Sequence, residues 1–214
     1  LNTENNACQK YLDSRFLSNE TIKQFRLGYS FNRKNSLYEY LKELSFDDNE
    51  ILKSNLVKKD ANNNFKDFFY KRLIFPIANI QGKVVGFGGR VLNNSNPKYI
   101  NSPETEFYKK GNMIFNLDKA KDLRSETDEV LIVEGYMDVV SVYSSGIKNV
   151  IANSGTAFTE RQINLTWKFF SNPIICLDGD ESGQKAALRI YFSRYSSINT
   201  FVSNNNSSSN FFIY

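Results

Sequence analysis

At 214 residues, with 41% hydrophobic and 14% aromatic content, the chain can bury a substantial core as one large or two small domains and is not a disordered chain. Two cysteines, Cys8 and Cys176, and no histidine exclude a zinc ribbon within these residues, a histidine general base and a disulfide framework. The net charge of +4 divides unevenly: Lys+Arg against Asp+Glu run 8 to 8 over residues 1–57, 13 to 6 over 58–124 and 6 to 9 over 125–214. A basic middle suits a polyanion, or mere solvation, and an acidic end suits cations.

No run of 18 apolar residues and no signal-peptide pattern occur, so a cytoplasmic protein with no membrane partner is expected; Leu1 in place of an initiator Met suggests a fragment. Leu12, Phe16, Ile22 and Phe25 are spaced for two short helices between Cys8 and about Tyr29, separated near Leu17-Ser18, with an N-cap in Ser18-Asn19-Glu20. Leu37, Leu41, Leu44, Ile51 and Leu52 predict helix over 36–54. Leu73-Ile74-Phe75-Pro76-Ile77, the turn-prone Asn79-Ile80-Gln81-Gly82 and Val84-Val85-Gly86-Phe87 read as a β-hairpin. Pro97 to Lys110 reads as an ordered loop carrying charge, followed by a short helix near Asp118–Leu123.

From 130 onward the chain alternates: strand Val130–Glu134, helix Met137–Ser144, strand Val150–Asn153, helix Thr159–Phe170, strand Ile174–Asp178, helix Ser182–Tyr195. That order predicts an α/β class, a right-handed βαβαβ unit with a parallel sheet. Ser203 to Asn210 is wholly Ser and Asn and reads as a disordered tail. Cys176, in an apolar strand, is expected to be buried and inert.

Ligands of open parallel sheets sit beyond the carboxyl ends of the strands, where Glu134, Asp178 and Asp180 fall. Gly135 after Glu134 allows a sharp turn that exposes the carboxylate, although an acid there also suits a helix N-terminus. Asp178 and Asp180 would project to one side of an extended segment, with Gly179 between them letting backbone approach a ligand; Asp-Gly-Asp is also a common turn. Three oxygen donors without His or Cys suit hard cations such as Mg²⁺, and with them phosphate chemistry.

Other motifs keep two readings. Gly86-Phe87-Gly88-Gly89-Arg90 is either a glycine bulge or tight turn, or backbone held close to a phosphodiester with Arg90 alongside. Pro97-Lys98-Tyr99 and Tyr108-Lys109-Lys110 are either solvated loop charges or the basic and aromatic interleaving that holds single strands. Asn153-Ser154-Gly155-Thr156 is equally able to cap the helix that follows.

Taken in order, Lys71-Arg72-Leu73-Ile74-Phe75-Pro76-Ile77, Gly86 to Arg90, Pro97-Lys98-Tyr99-Ile100-Asn101-Ser102-Pro103-Glu104-Thr105, Glu134-Gly135-Tyr136-Met137-Asp138 and Asp178-Gly179-Asp180 resemble the bacterial DnaG-type primase over about residues 8–195. The resemblance implies an α+β N-terminal subdomain over 1–124, a metal-binding Toprim domain over 125–202 and a tail over 203–214. It implies that Glu134, Asp178 and Asp180 are catalytic acids binding Mg²⁺ or Mn²⁺, with Asp138 supporting them. Arg15, Arg90, Lys98, Asn101 and Lys110 match the basic ridge that holds nucleic acid and the incoming nucleotide.

The implied activity is a DNA-directed RNA polymerase making short primers from ribonucleoside triphosphates on single-stranded DNA. Zinc and the replicative helicase are expected only through N-terminal and C-terminal domains outside this chain. Three departures stand out: Phe16 follows Arg15 where glycine is usual, Tyr70 stands where arginine is usual, and a downstream Asp-Pro-Asp segment is missing, the helical bundle with it. Competing readings are an inactive or truncated fragment that only binds single-stranded nucleic acid, and a Toprim strand-cleavage domain like that of topoisomerases.

Overall fold

The computed structural model describes residues 3–31, 37–153 and 158–198; the tail and Ser154, Gly155 and Thr156 lie outside the described residues. The chain divides into two compact units, Leu1–Pro76 with Val85–Lys109, and Ile77–Val84 with Lys110–Tyr214.

The first unit opens with helices α1 (Thr3–Ser14) and α2 (Asn19–Gln24), the two short helices that the apolar spacing predicts. Ser18 is the N-cap of α2, its hydroxyl accepting the Thr21 N–H at 3.1 Å. Strand β1 (Gly28–Ser30) follows. The helix expected over 36–54 is two helices, α3 (Leu37–Glu43) and α4 (Asp48–Lys53). The break has a local cause: Ser45 takes a left-handed backbone and Asp47 starts α4 with a reciprocal capping box to Glu50. A two-stranded ribbon, β2 (Val57–Lys59) and β3 (Phe65–Asp67), precedes the hairpin β4 (Arg72–Ala78) and β5 (Val84–Val91).

The hairpin turn is where the sequence puts it, with the Asn79 side chain accepting the N–H groups of Gln81 and Lys83 and Gly82 at φ 80°. The expected loop from Pro97 carries a third antiparallel strand, β6 (Tyr99–Asn101), so that the sheet order is β1-β4-β5-β6. Leu73 and Phe75, inward-facing on β4, are fully buried, as is Tyr108.

In the second unit β7 (Ile114–Phe115) and α5 (Leu117–Ala120) lead into β8 (Glu129–Val133), α6 (Tyr136–Ser144), β9 (Val150–Asn153), α7 (Glu160–Trp167), β10 (Asn172–Ile175) and α8 (Glu181–Ile198). Strands β8, β9 and β10 are parallel and β8 is central, in the order β10-β8-β9-β7, with β7 added as an antiparallel edge. The α/β class is thus a four-stranded, mostly parallel sheet in this unit and a four-stranded antiparallel sheet in the first. Val130 and Ile132 of β8, Ile151 of β9 and Ile175 of β10 share one core with Ile163 of α7 and with Ala187 and Ile190 of α8. Among the described residues no helix is long and apolar enough to cross a membrane.

Strand β10 ends at Ile175, three residues before the expected Asp178, and this corrects the reading of Cys176: its thiol is exposed. Cys176 lies just past β10, its N–H donating to the Ile132 carbonyl at 2.8 Å. Cys8 is the buried one, and burial pushes its thiol up to about 11. A thiol-alkylating reagent is therefore expected to modify Cys176 in the folded chain and Cys8 only after denaturation, as read by peptide mass spectrometry.

Candidate active site

Glu134 is the first residue beyond β8, and Gly135 and Tyr136 turn the chain directly into α6. Asp138 holds that turn, accepting the Gly135 N–H at 2.9 Å. Beyond β10 the chain does not stay extended: Asp180 bends back, and its Oδ1 accepts the Gly183 N–H at 2.8 Å to start α8. Strands β10 and β8 pair as far as Ile175 with Ile132, and beyond them Asp178 hydrogen-bonds Glu134.

The Glu134 carboxyl feels both aspartates. Burial, then a hydrogen bond to the Asp178 side chain and the repulsion of Asp178, push the Glu134 carboxyl above its ordinary value; the Asp178 N–H opposes this, and Asp180 adds repulsion. Among the described residues no three acids close around a single ion position. Glu134 and Asp178 form the pair, with one oxygen of Asp180 taken up by α8.

Gly179 has open space around it, whereas a β-carbon on Gly183 would sit 2.0 Å from the Asp178 carbonyl oxygen. Gly183, not Gly179, is the glycine this loop depends on. It lies three residues beyond Asp180, and the close approach is made by backbone folding back from α8, which no local spacing reveals.

Lys110 opens a 3₁₀ turn, Lys110–Asn112, in the second unit. The fully buried Gln162 donates to the carbonyls of Lys110 at 3.1 Å and Met113 at 2.7 Å, and the Thr159 hydroxyl donates to that of Gly111 at 2.7 Å. The capping box of α7 therefore fixes the turn that carries Lys110.

In the first unit Arg90 lies on β5, opposite Tyr99 of β6. Its guanidinium sits 4.5 Å over the Tyr11 ring and 5.6 Å from that of Tyr99, and Arg15 lies 5.4 Å over the same Tyr11 ring. Arg90 is only 8% exposed, yet its Nε and Nη1 have no hydrogen-bond partner among the described residues. Lys98 is exposed, and Asn101 faces Gly88 across the sheet. The glycines of this strand are neither a turn nor open backbone: β-carbons on Gly86 and Gly89 would press into the rings of Tyr108 and Phe69 at 2.9 and 2.6 Å.

Arg72 was not singled out by spacing, and it positions Lys98. Its buried Nη1 lies 3.0 Å from the Pro97 carbonyl, 3.2 Å from that of Gly89 and 3.4 Å from that of Lys98. Arg72→Met removes this shared donor, although the Lys98 carbonyl keeps the Val91 N–H at 3.1 Å, and is expected to lower stability by about 2 kcal/mol in denaturant unfolding. Tyr70, in the position where the resemblance expects arginine, is exposed and has the Lys71 ammonium 5.5 Å over its ring.

Comparison with known proteins finds two families in order along the chain. Residues 1–121 match the family described as the DNA primase catalytic core, N-terminal domain, and residues 128–203 match the Toprim domain. A DNA primase of Clostridium acetobutylicum is 40% identical over 185 residues, covering 86% of this chain and 31% of that protein. The chain thus spans about a third of the length of the curated relatives it matches. A solved DnaG primase catalytic domain bound to ssDNA has a TM-score of 0.76 at 35% identity, over 86% of this chain and 57% of that one. The RNA polymerase domain of Mycobacterium tuberculosis primase DnaG has a TM-score of 0.80 at 31% identity, over 89% of this chain and 65% of that one. With both domains matched in order and the same fold in solved relatives, the chain belongs to the DNA primase catalytic core family, a DnaG-type N-terminal core followed by a Toprim domain.

Proposed function

We propose that this chain carries template-directed nucleotidyl transfer for primer synthesis: the 3′-hydroxyl of a short RNA attacks the α-phosphate of a ribonucleoside triphosphate paired to single-stranded DNA, and pyrophosphate leaves. The observation that supports this most is the meeting of Glu134 and Asp178, with Asp180 close enough to repel Glu134, at the carboxyl edge of a parallel sheet in a chain of this family. In this reading residues 1–124 bind nucleic acid and 125–202 carry the chemistry.

The donor set suits Mg²⁺ or Mn²⁺. Mg²⁺ ordinarily binds through one or two carboxylates, waters and substrate phosphates, and Glu134 and Asp178 are assigned as those carboxylates, with Asp180 an outer acid. Such an ion, when bound, lowers the pKa of the attacking hydroxyl and offsets charge on the attacking and leaving oxygens. Asp138 keeps the Glu134 turn in place through the Gly135 N–H. Arg90 is assigned a phosphate because two of its buried donors have no partner among the described residues; Arg15, Lys98 and Asn101, and in the second unit Lys110, are likewise assigned to nucleic acid or nucleotide.

The test is to incubate the chain with single-stranded template, ribonucleotides and Mg²⁺ or Mn²⁺, beside the double variant Asp178→Ala with Asp180→Ala. Short RNA from the unaltered chain alone supports the reading. Template binding without RNA from either protein overturns it in favour of a binding module.

A further inference from the structure

Helix α3 buries none of its residues, although Leu37, Leu41 and Leu44 recur at helical spacing. A helix this short does not stand by its own hydrogen bonds and is held by packing. One side of it is held: the Leu37 N–H donates to an Asp67 carboxylate oxygen at 3.0 Å, the Tyr38 ring stacks on that of Phe65 with centroids 3.9 Å apart, and Lys42 pairs with Asp48 at 3.1 Å. Tyr40 and Leu44 lie on the opposite side, one turn apart, the Leu44 N–H still donating to the Tyr40 carbonyl at 3.2 Å. They are 55% and 52% exposed, and Phe46, just beyond, is 44% exposed. The exit is fixed by the left-handed Ser45 and by the Phe46 N–H, which donates to the Leu41 carbonyl at 3.1 Å. A braced helix thus presents large apolar side chains at the surface.

Charge indicates what fits there. Residues 37–50 hold Glu39, Glu43, Asp47, Asp48 and Glu50 against Lys42 alone, in a chain of net charge +4, and all five acids are exposed. Carboxylates beside the exposed apolar groups repel a phosphate backbone, so this face does not suit nucleic acid. They suit a partner that brings Lys or Arg together with apolar side chains of its own.

We infer that Tyr40, Leu44 and Phe46 form a docking surface for a basic amphipathic helix of another protein. Its apolar side chains cover these three residues, and its basic heads reach Glu43 and the acids that begin α4. None of these residues belongs to the site assigned to primer synthesis, so the inference does not rest on that reading.

The test follows, by fluorescence anisotropy, binding of a labelled lysine-leucine helical peptide with its leucines on one face. It is added to the parent chain, to the double variant Tyr40→Gln with Leu44→Gln, and to Glu43→Gln. Glutamine keeps a good helix propensity, and thermal unfolding checks that each variant is folded. The parent is expected to bind, less tightly as salt rises, and not to bind the same peptide with glutamate in place of lysine. The double variant is expected to bind about tenfold more weakly. Glu43→Gln is expected to bind about two- to threefold more weakly, with a shallower salt dependence. Equal binding by the parent and the folded double variant, or equal binding of the two peptides, overturns the docking surface. A parent that self-associates in sedimentation while the double variant stays monomeric overturns the foreign partner in favour of a second copy of this chain. None of these outcomes bears on the carboxylates of the second unit.

Discussion

Gly183→Ala is expected to reduce primer synthesis by about a hundredfold while leaving every carboxylate in place. The added methyl group would lie 2.0 Å from the Asp178 carbonyl oxygen and 3.0 Å from its carbon, so α8 or the Asp178 backbone must move. Backbone, unlike the end of a flexible side chain, yields only by shifting what it carries. A displacement of about an ångström at a positioned catalytic group commonly costs a hundredfold in rate. Overpacking of this kind also costs about 1–3 kcal/mol of stability. Gly179→Ala is the control: nothing lies within 4 Å of its β-carbon position, so unfolding and synthesis should both stay near the parent. Thermal unfolding and synthesis assays on the two variants check this, and a Gly183→Ala chain as active as the parent would contradict the close packing described here.

Glu134→Gln is expected to move stability and activity in opposite directions. The Glu134 carboxyl is raised above its ordinary value, by burial first and then by Asp178 and Asp180. A carboxyl raised on folding binds more protons in the folded chain than in the unfolded one, so stability falls as pH climbs from the ordinary carboxyl range through the raised value. Above that window the penalty is fully present. Glutamine carries no charge, so the variant should unfold at a slightly higher temperature than the parent at neutral pH. The difference should vanish below the ordinary carboxyl range, where Glu134 is protonated in both states. Metal-dependent synthesis should fall by about a hundredfold or more, because one of the two paired oxygen donors is lost. Residues that make a fold less stable while they make a reaction possible are what a working site requires.

The second unit was the more legible of the two. Apolar strands of four or five residues alternating with helices announce a parallel sheet, and Glu134 at the end of β8 could be read from Leu131-Ile132-Val133 meeting Gly135. The strands β1, β2, β3, β6 and β7 were not read, because two or three residues carry no period. Helix ends were obscured for a related reason: the left-handed residue after a helix is Phe16, Arg26, Ser45 or Asn55 here, with glycine only at Gly146, so the usual glycine punctuation is missing.

The site shows the same limit of local reading. Candidate acids were visible because carboxylates at strand ends stand out, but Asp180 bends into α8 instead of lying in register with Asp178. Arg72 reaches carbonyls 17 to 26 residues away, and Gln162 reaches carbonyls 49 and 52 residues away. Such contacts position Lys98 and Lys110, and spacing along the chain has no means of announcing them. The glycines of β5 look like a phosphate loop in sequence and are packing sites for Phe69 and Tyr108 in space.

The most direct test of the carboxylate pair is a calorimetric titration of Mn²⁺ into the parent chain and into Glu134→Gln, at a pH above the titration of Glu134. Binding by the parent that weakens at least tenfold in the variant is expected if Glu134 is a metal donor. Equal binding by the two proteins would contradict it, and the edge formed by Glu134 and Asp178 would then not be where the ion is held.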